Sequence, residues 1–364
     1  MEKVRLGDIC VKQSSKLAQK DLENMDGSYP IFGASGLIKK INTYDQKAEY
    51  VAVVKDGAGV GRTMLLPAYS SVIGTLQYLI PNDNVNAKYL YYAVKSRHLE
   101  KYYTGSAIPH IYFKDYKSEP IILFDGIAQK KIALVLERVE KIIEKHKQQL
   151  EMLDTLIKAR FVEMFGDATN NNKDWETASV ESVCQEILGG GTPSKAHPEY
   201  YEGGDIPWVS SKDMKADVLY DSQIRINKLG VENSAARMVP VNSVIMVIRS
   251  GILKHSLPVA INAVPLTVNQ DLKVFVPGDR IITRFMATQF KMQEKKILAG
   301  VRAVTADNIE FNSLKQRLLI IPPIELQNEF VSFAEQVDKS KSAIQKSLEK
   351  TQTLFDSLMQ KYFG

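Results

Sequence analysis

The chain has 364 residues, 45% of them hydrophobic, with 47 Lys and Arg against 42 Asp and Glu for a net charge of +5. That length exceeds one ordinary domain, and that composition excludes a disordered or fibrous chain. Two cysteines exclude a disulfide scaffold and suit a reducing cytoplasm, the expected location, while the small positive charge permits nucleic-acid binding without requiring it.

Residues 1–8 hold no apolar leader-like stretch, and the longest apolar runs, 244–248 and 318–324, are strand-sized, so no membrane segment is expected. Short β-rich runs at 50–54, 71–73 and 78–80 sit between Gly, Pro and Asn turns, followed by a helical stretch over 86–102. A strand-like run at 120–124 then leads into a long helix. Its apolar residues, Ile132, Val135, Val139, Ile142, Leu150, Leu153, Ile157 and Phe161, predict a heptad seam. From about 132 to 165 this helix would be roughly 50 Å long at 1.5 Å per residue.

A polar linker over 166–174 precedes a second series of runs, 244–248, 259–262 and 273–276, and a second helical stretch, 281–298. Another strand, 318–321, is stopped by Pro322 and Pro323 before a second long helix with Leu326, Phe330, Phe333, Val337, Ile344, Leu348, Phe355 and Leu358 on its seam. Both seams slip by one step, at 146–150 and 344–348.

The chain is a repeat. Residues 111–166 align with 309–364 at a constant offset, matching Phe113 with Phe311, Gln129 with Gln327, Leu150 with Leu348 and Phe165 with Phe363. The N-terminal parts match at a drifting offset: Cys10 with Cys184, residues 29–32 with 206–209, and 53–55 with 247–249. Each half is therefore a variable segment followed by one of fixed length.

Little in the sequence suggests catalysis. The glycines Gly57, Gly59 and Gly61 before Arg62 have neither dinucleotide-fingerprint nor Walker spacing, and read better as a tight turn meeting a phosphate. The loop from Gly189 to Lys195 (Gly-Gly-Gly-Thr-Pro-Ser-Lys) offers backbone and side-chain donors to phosphate oxygens. His98, His110, His146, His197 and His255 lack metal-site spacing, and Cys10 and Cys184 read as matched small core residues. A non-catalytic binding protein is expected.

Several stretches carry a family resemblance: the segment 187–195 followed by Tyr200 and by Asp205-Ile206-Pro207-Trp208-Val209, the segment 29–36, and Ala159 to Asp167 closing the first helix. With the alternation of variable domain and long helix, the chain resembles the specificity subunit of type I restriction–modification systems. The resemblance implies an α+β fold: two α/β target-recognition domains separated by a pair of long antiparallel coiled-coil helices, in an internal pseudo-two-fold repeat. Its domains would be 1–125 and 175–323 for recognition, 126–166 and 324–364 for the helices, and 167–174 for the linker. Each recognition domain would read one half of a split double-stranded DNA site, and the helix pair would fix the unread interval. Two methyltransferase subunits using S-adenosylmethionine would dock on it, and two restriction subunits using ATP and Mg would then join. No cofactor is expected in this chain. The helix faces also offer a route to self-association when the chain is alone.

An internal repeat matches the backbone symmetry of duplex DNA, and a rigid helix pair is a sound ruler. Base reading needs Arg, Lys, Asn, Gln, Ser or Thr at loop tips. The candidates are Lys39, Lys55, Arg62, Thr75 and Gln77 in the first half, and Thr192, Ser194, Lys195, Ser210, Lys212, Arg249, Lys254, Asn269, Gln270 and Arg302 in the second. The loop Lys-Gln-Ser-Ser-Lys at 12–16 stands where the second half has its glycine loop, and Asn269-Gln270 aligns with Ile73-Gly74. Residues 1–166 carry 24 basic and 19 acidic side chains, and residues 167–364 carry 23 of each, so partner subunits are expected to supply much of the phosphate contact. The alternative readings are a coiled-coil protein-binding scaffold without DNA specificity, and a nucleotide-dependent enzyme using the loop at 57–61.

Overall fold

A computed structural model of the chain describes residues 2–105, 109–303 and 307–364, with the backbone alone at Arg302 and Ala303. The fold is mixed α/β. It divides into two compact units, Met1–Gln149 with Ile344–Gly364, and Leu150–Ala343. Each unit therefore contains one α/β domain and a part of both long helices.

In unit 1 an antiparallel sheet is built from β1 (Cys10–Ser14), β2 (Tyr50–Val54), β3 (Thr63–Leu66) and β4 (Leu76–Pro81), in the order β1-β4-β2-β3. The run Tyr-Val-Ala-Val-Val of β2 is buried along its whole length because both faces of the sheet are covered. Val51 and Val53 pack with Tyr89 and Leu90 of helix α1 (Ala87–Lys95), while Tyr50, Ala52 and Val54 join Ile31 and Ile41 in a second core. Asn86 caps α1, accepting from the Tyr89 N–H at 3.0 Å. A smaller sheet places Tyr29–Gly33 between antiparallel Gly36–Ile41 and parallel Ser71–Val72. Glu2–Arg5 pairs with Pro120–Leu123, which leads into helix α2 (Gly126–Phe165).

Unit 2 repeats this plan. Strands β5 (Cys184–Gly189), β6 (Val218–Leu219), β7 (Val244–Val247), β8 (Val259–Asn262) and β9 (Leu272–Pro277) form a sheet in the order β5-β9-β7-β8-β6. Ile206–Val209 pairs antiparallel with Arg225–Ile226 and parallel with Thr267–Val268, as Tyr29–Gly33 does with its two neighbours in unit 1. Helix α3 (Thr283–Met292) covers the sheet, and Thr177–Ser179 pairs with Leu318–Ile320 ahead of helix α4 (Ile324–Phe363). The matched cysteines open the first strand of each sheet. Burial pushes both thiols up to about 12, so they stay protonated and unreactive at neutral pH.

Two devices tie each domain to the helices, and both are duplicated. Gln129 accepts from the Asn86 N–H at 2.8 Å and donates to Asn84 O and Phe124 O. Gln327 accepts from the Ile282 N–H at 3.0 Å and donates to Arg280 O and Pro322 O. Each glutamine thus joins the start of a long helix to the start of its domain's covering helix. Arg97 in turn bonds to Pro120 O and Phe363 O, while Gln293 bonds to Leu318 O and Ala168 O. Each domain is therefore fastened to the strand before its own long helix, and to the chain at or just past the end of the other helix.

The buried positions of α2 depart from the expected seam. Ile132, Leu136, Val139 and Ile143 are buried, and Ile142 is 46% exposed. In unit 1 the buried face of α2 meets both Tyr89 of the domain and Phe355 of α4, and this broader contact buries Leu136 and Ile143 more deeply than Val135 and Ile142 of the expected seam. At the expected slip, residues 146, 149 and 150 in α2 and 344 and 348 in α4 are half-buried. In unit 2 Asp154 pairs with Lys341, and Arg160 with Glu329 at 2.8 Å, so the two helices run antiparallel there. Their ends close on a cluster of rings, with Phe161 against Phe285 at 5.5 Å and Phe165 against Phe330 at 5.8 Å. Among the described residues no helix is long and apolar enough to cross a membrane.

Candidate nucleic-acid interface

In each unit the last residue of the first sheet strand, the last of the strand two places along and the first of the strand between them lie at one end of the sheet. In unit 1 these are Ser14, Val54 and Leu76; in unit 2 they are Gly189, Val247 and Leu272. The loops that emerge there carry most of the polar candidates. The two ends share a backbone skeleton: Ile73 N–H donates to Phe32 O at 3.0 Å, and Asn269 N–H donates to Val209 O at 2.9 Å. The alignment of Asn269-Gln270 with Ile73-Gly74 holds in space.

At the end of unit 1, the loop 55–62 is a tight hairpin in which Gly61 N–H donates to Val54 O at 2.8 Å and Val54 N–H to Arg62 O at 2.9 Å. Gly57, Gly59 and Gly61 have positive φ, which glycine adopts without strain. Lys55 and Thr75 are joined backbone to backbone at 2.9 Å. The Lys55 ammonium stands 3.8 Å from Asp56, whose carboxylate also bonds His110. Arg62 donates to Ala34 O at 3.0 Å. Lys39 lies apart, on the strand Gly36–Ile41, where it pairs with Asp26 at 2.7 Å and donates to Leu22 O. Gln77 departs from its expected role: it is 1% exposed within β4, between β1 and β2, with no partner for its Nε2 among the described residues. A side chain so placed does not reach a groove.

At the end of unit 2, the glycine loop rests on the turn between Thr267–Val268 and β9. Gly191 N–H donates to Val268 O at 3.1 Å, and a Cβ on Gly190 would lie 1.9 Å from that oxygen. Glycine is required by this backbone-on-backbone approach. Thr192 follows, exposed, and donates to Gln270 Oε1. Ser194 and Lys195 are exposed; the Ser194 hydroxyl accepts from the Ala196 N–H at 3.3 Å. Ser210 is bound to Asp213 at 2.8 Å, and Lys212 is exposed beside it. Lys254 stands 3.8 Å from Asp307. Asn269 is 6% exposed and faces the Asp271 carboxylate rather than solvent, a second departure from the loop-tip expectation. Arg249 donates from Nε to Asp271 Oδ1 at 2.6 Å. Arg302 is in a two-residue strand whose side chains lie outside the described residues.

Asp271, Asp56 and His110 were not among the sequence candidates. The acid two positions after Asn269 was a readable turn signal, since Asx side chains bond the backbone two residues on, as Asn269 does here at 3.1 Å. The pairing of His110 with Asp56 across 54 residues had no local signal. Taken together, both ends offer cations and hydroxyls over a hydrogen-bonded backbone, and the end of unit 2 adds the exposed Gln270 amide; these are donors that phosphates and base edges accept.

Residues 1–153 and 172–352 match the family described as the type I restriction modification DNA specificity domain. The chain belongs to this family. Among relatives of this specificity family, the type I restriction enzyme EcoR124I/EcoR124II specificity subunit of Escherichia coli is 32% identical over 162 residues, 44% of this chain and 40% of that one. The chain therefore matches less than half the length of that relative. The type I restriction enzyme MjaIX specificity subunit of Methanocaldococcus jannaschii is 23% identical over 305 residues, 78% of this chain and 69% of that one. The fold is similar to the S subunit of a type I restriction–modification system from M. genitalium, with a TM-score of 0.65 at 15% identity, over 100% of this chain and 96% of that one.

Proposed function

We propose that this member of the specificity family reads a DNA sequence split into two halves, one half at the loop end of each central sheet. The observation that carries the reading is a duplicated frame with unlike ends. Gln129 and Gln327 make the same bonds in the two units. At the loop ends, by contrast, Lys55, Asp56 and His110 stand in one and Arg249, Gln270 and Asp271 in the other. Equal frames with unequal donors suit two different half-sites. The 40-residue helices α2 and α4 would set the interval between them.

Two methyltransferase subunits would dock on the outer face of the helices. On α2 in unit 1, Ile127 is 85%, Leu134 46% and Ile142 46% exposed. At 3.6 residues per turn they fall within about 80° of one another and away from the buried face. An apolar stripe of this kind fits a protein partner. The partners would supply the S-adenosylmethionine chemistry, and restriction subunits the ATP- and Mg-dependent steps; this chain supplies the address.

Quantitative duplex binding tests the reading. The chain with its methyltransferase partner is expected to prefer one duplex sequence over random duplex, with log affinity falling linearly as log salt rises. Equal affinity for all duplexes, with the methyltransferase still bound, would favour a protein-binding scaffold.

A further inference from the structure

Among the candidates whose side chains are described, Arg249 is held by a carboxylate that is itself fixed. Its Nε donates to Asp271 Oδ1 at 2.6 Å, and the side chain is 48% exposed. The carboxylate is itself fixed: Asn269 Nδ2 donates to Asp271 Oδ2 at 3.0 Å, and Asn269 Oδ1 accepts from the Asp271 N–H at 3.1 Å. The Asp271 carbonyl accepts from both the Ile248 N–H, at 2.9 Å, and the Arg249 N–H, at 3.2 Å. The glycine loop bears on the same turn, since a Cβ on Gly190 would come within 2.6 Å of Asn269 O. A buried amide is thus spent on orienting an acid, and that acid orients an arginine.

This arrangement does two things to the guanidinium. It fixes the plane through Nε, and it leaves the Nη1 and Nη2 pair without a protein acceptor among the described residues. Two coplanar donors on a fixed plane match the O6 and N7 acceptors of guanine in the major groove. The pairing also cancels the charge. A neutral Arg–Asp pair is a poor phosphate clamp, because phosphate affinity follows the number of uncompensated cations and a carboxylate repels phosphate. What remains is directional donation. The counterpart in unit 1, Lys55, is a point charge with no such plane.

Resting on the DNA-recognition reading above, we infer that Arg249 reads a guanine in the half-site of unit 2, with Asp271 and Asn269 as its positioning residues. The test is selection from a library of randomised duplexes, using the full chain with its methyltransferase partner. The unaltered chain is expected to require a guanine at a fixed position in one half-site. Arg249→Gln removes that preference, a change of about ten- to hundredfold at one position. Asp271→Asn weakens the preference at that same position. The other half-site stays as it was and reports that the chain is folded. Should Arg249→Gln lose both halves, Arg249→Lys decides: it keeps stem and charge, and is expected to lose preference at that position alone.

Unchanged base preferences in Arg249→Gln would overturn the inference. So would uniform weakening over all sequences with a shallower salt dependence, the mark of a phosphate contact. A bipartite site without that guanine would overturn it and leave the DNA-recognition reading standing. No bipartite preference in the unaltered chain would remove both.

Discussion

Replacing Gln327 by leucine is expected to destabilise the chain by about 3–5 kcal/mol, a large fraction of a typical domain's margin of about 5–15 kcal/mol. Gln327 is 0% exposed, and its amide serves three backbone groups, Ile282 N–H, Arg280 O and Pro322 O. Leucine fills a similar volume and serves none of them. Each buried group left unpaired costs about 1–3 kcal/mol, with some recovery where a carbonyl regains water. Gln129→Leu should cost a comparable amount in unit 1, because Gln129 is 1% exposed and serves Asn86 N–H, Asn84 O and Phe124 O. Gln345→Leu, at an exposed position of the same helix as Gln327, should stay within about 0.5 kcal/mol of the parent. Urea unfolding of the three variants checks this. A cost for Gln327→Leu no larger than that of Gln345→Leu would show that the buried amide does not hold helix to domain.

Gly190→Ala should be the most damaging single methyl in the glycine loop of unit 2. The added Cβ would lie 1.9 Å from Val268 O and 2.6 Å from Asn269 O, both backbone atoms of the turn that carries Gln270 and Asp271. Relief requires the glycine loop or the turn to shift, at a cost of about 1–3 kcal/mol. The same shift displaces Arg249, so base preference in one half-site should weaken while the other is kept. Gly251→Ala is the control, since no atom of the described residues lies within 4 Å of its Cβ and its φ is not positive. Gly57→Ala tests a different effect: no atom of the described residues crowds it, but φ is +82°, a strain of about 1 kcal/mol for a residue with a side chain. Duplex selection and thermal unfolding, run in parallel, separate these cases. Normal recognition of both half-sites by Gly190→Ala would contradict the place given to the glycine loop.

The repeat was legible because the same contacts recur. Gln129 and Gln327 aligned as identities, and they make matching bonds. Strands that need burial on both faces read as unbroken apolar runs, so β2 and β8 fall at their expected bounds. The helical stretch over 86–102 proved to be a helix, Ala87–Lys95, and a separate turn, Leu99–Tyr102, because His98 takes a left-handed conformation between them. Such a break has no apolar period to announce it. The helix seam was misjudged at Ile142 for a related reason. Periodicity shows that an apolar face exists, but not whether a helix, a domain or an absent partner covers it. The site was legible by residue type and less so by exposure. Gln77 and Asn269 have the chemistry of base readers, yet sheet pairing buries the first and an acid two residues away holds the second. Asp271 was missed because acids rarely face DNA, and its value here comes from orienting a cation.

The most direct test of split recognition is the pattern of methyladenine in the genome of the host, with this gene intact and with it deleted. The account predicts that deletion abolishes methylation at one bipartite motif, two defined halves around a gap of fixed length. Methylation unchanged by the deletion, in cells that express the chain and its methyltransferase, would contradict it.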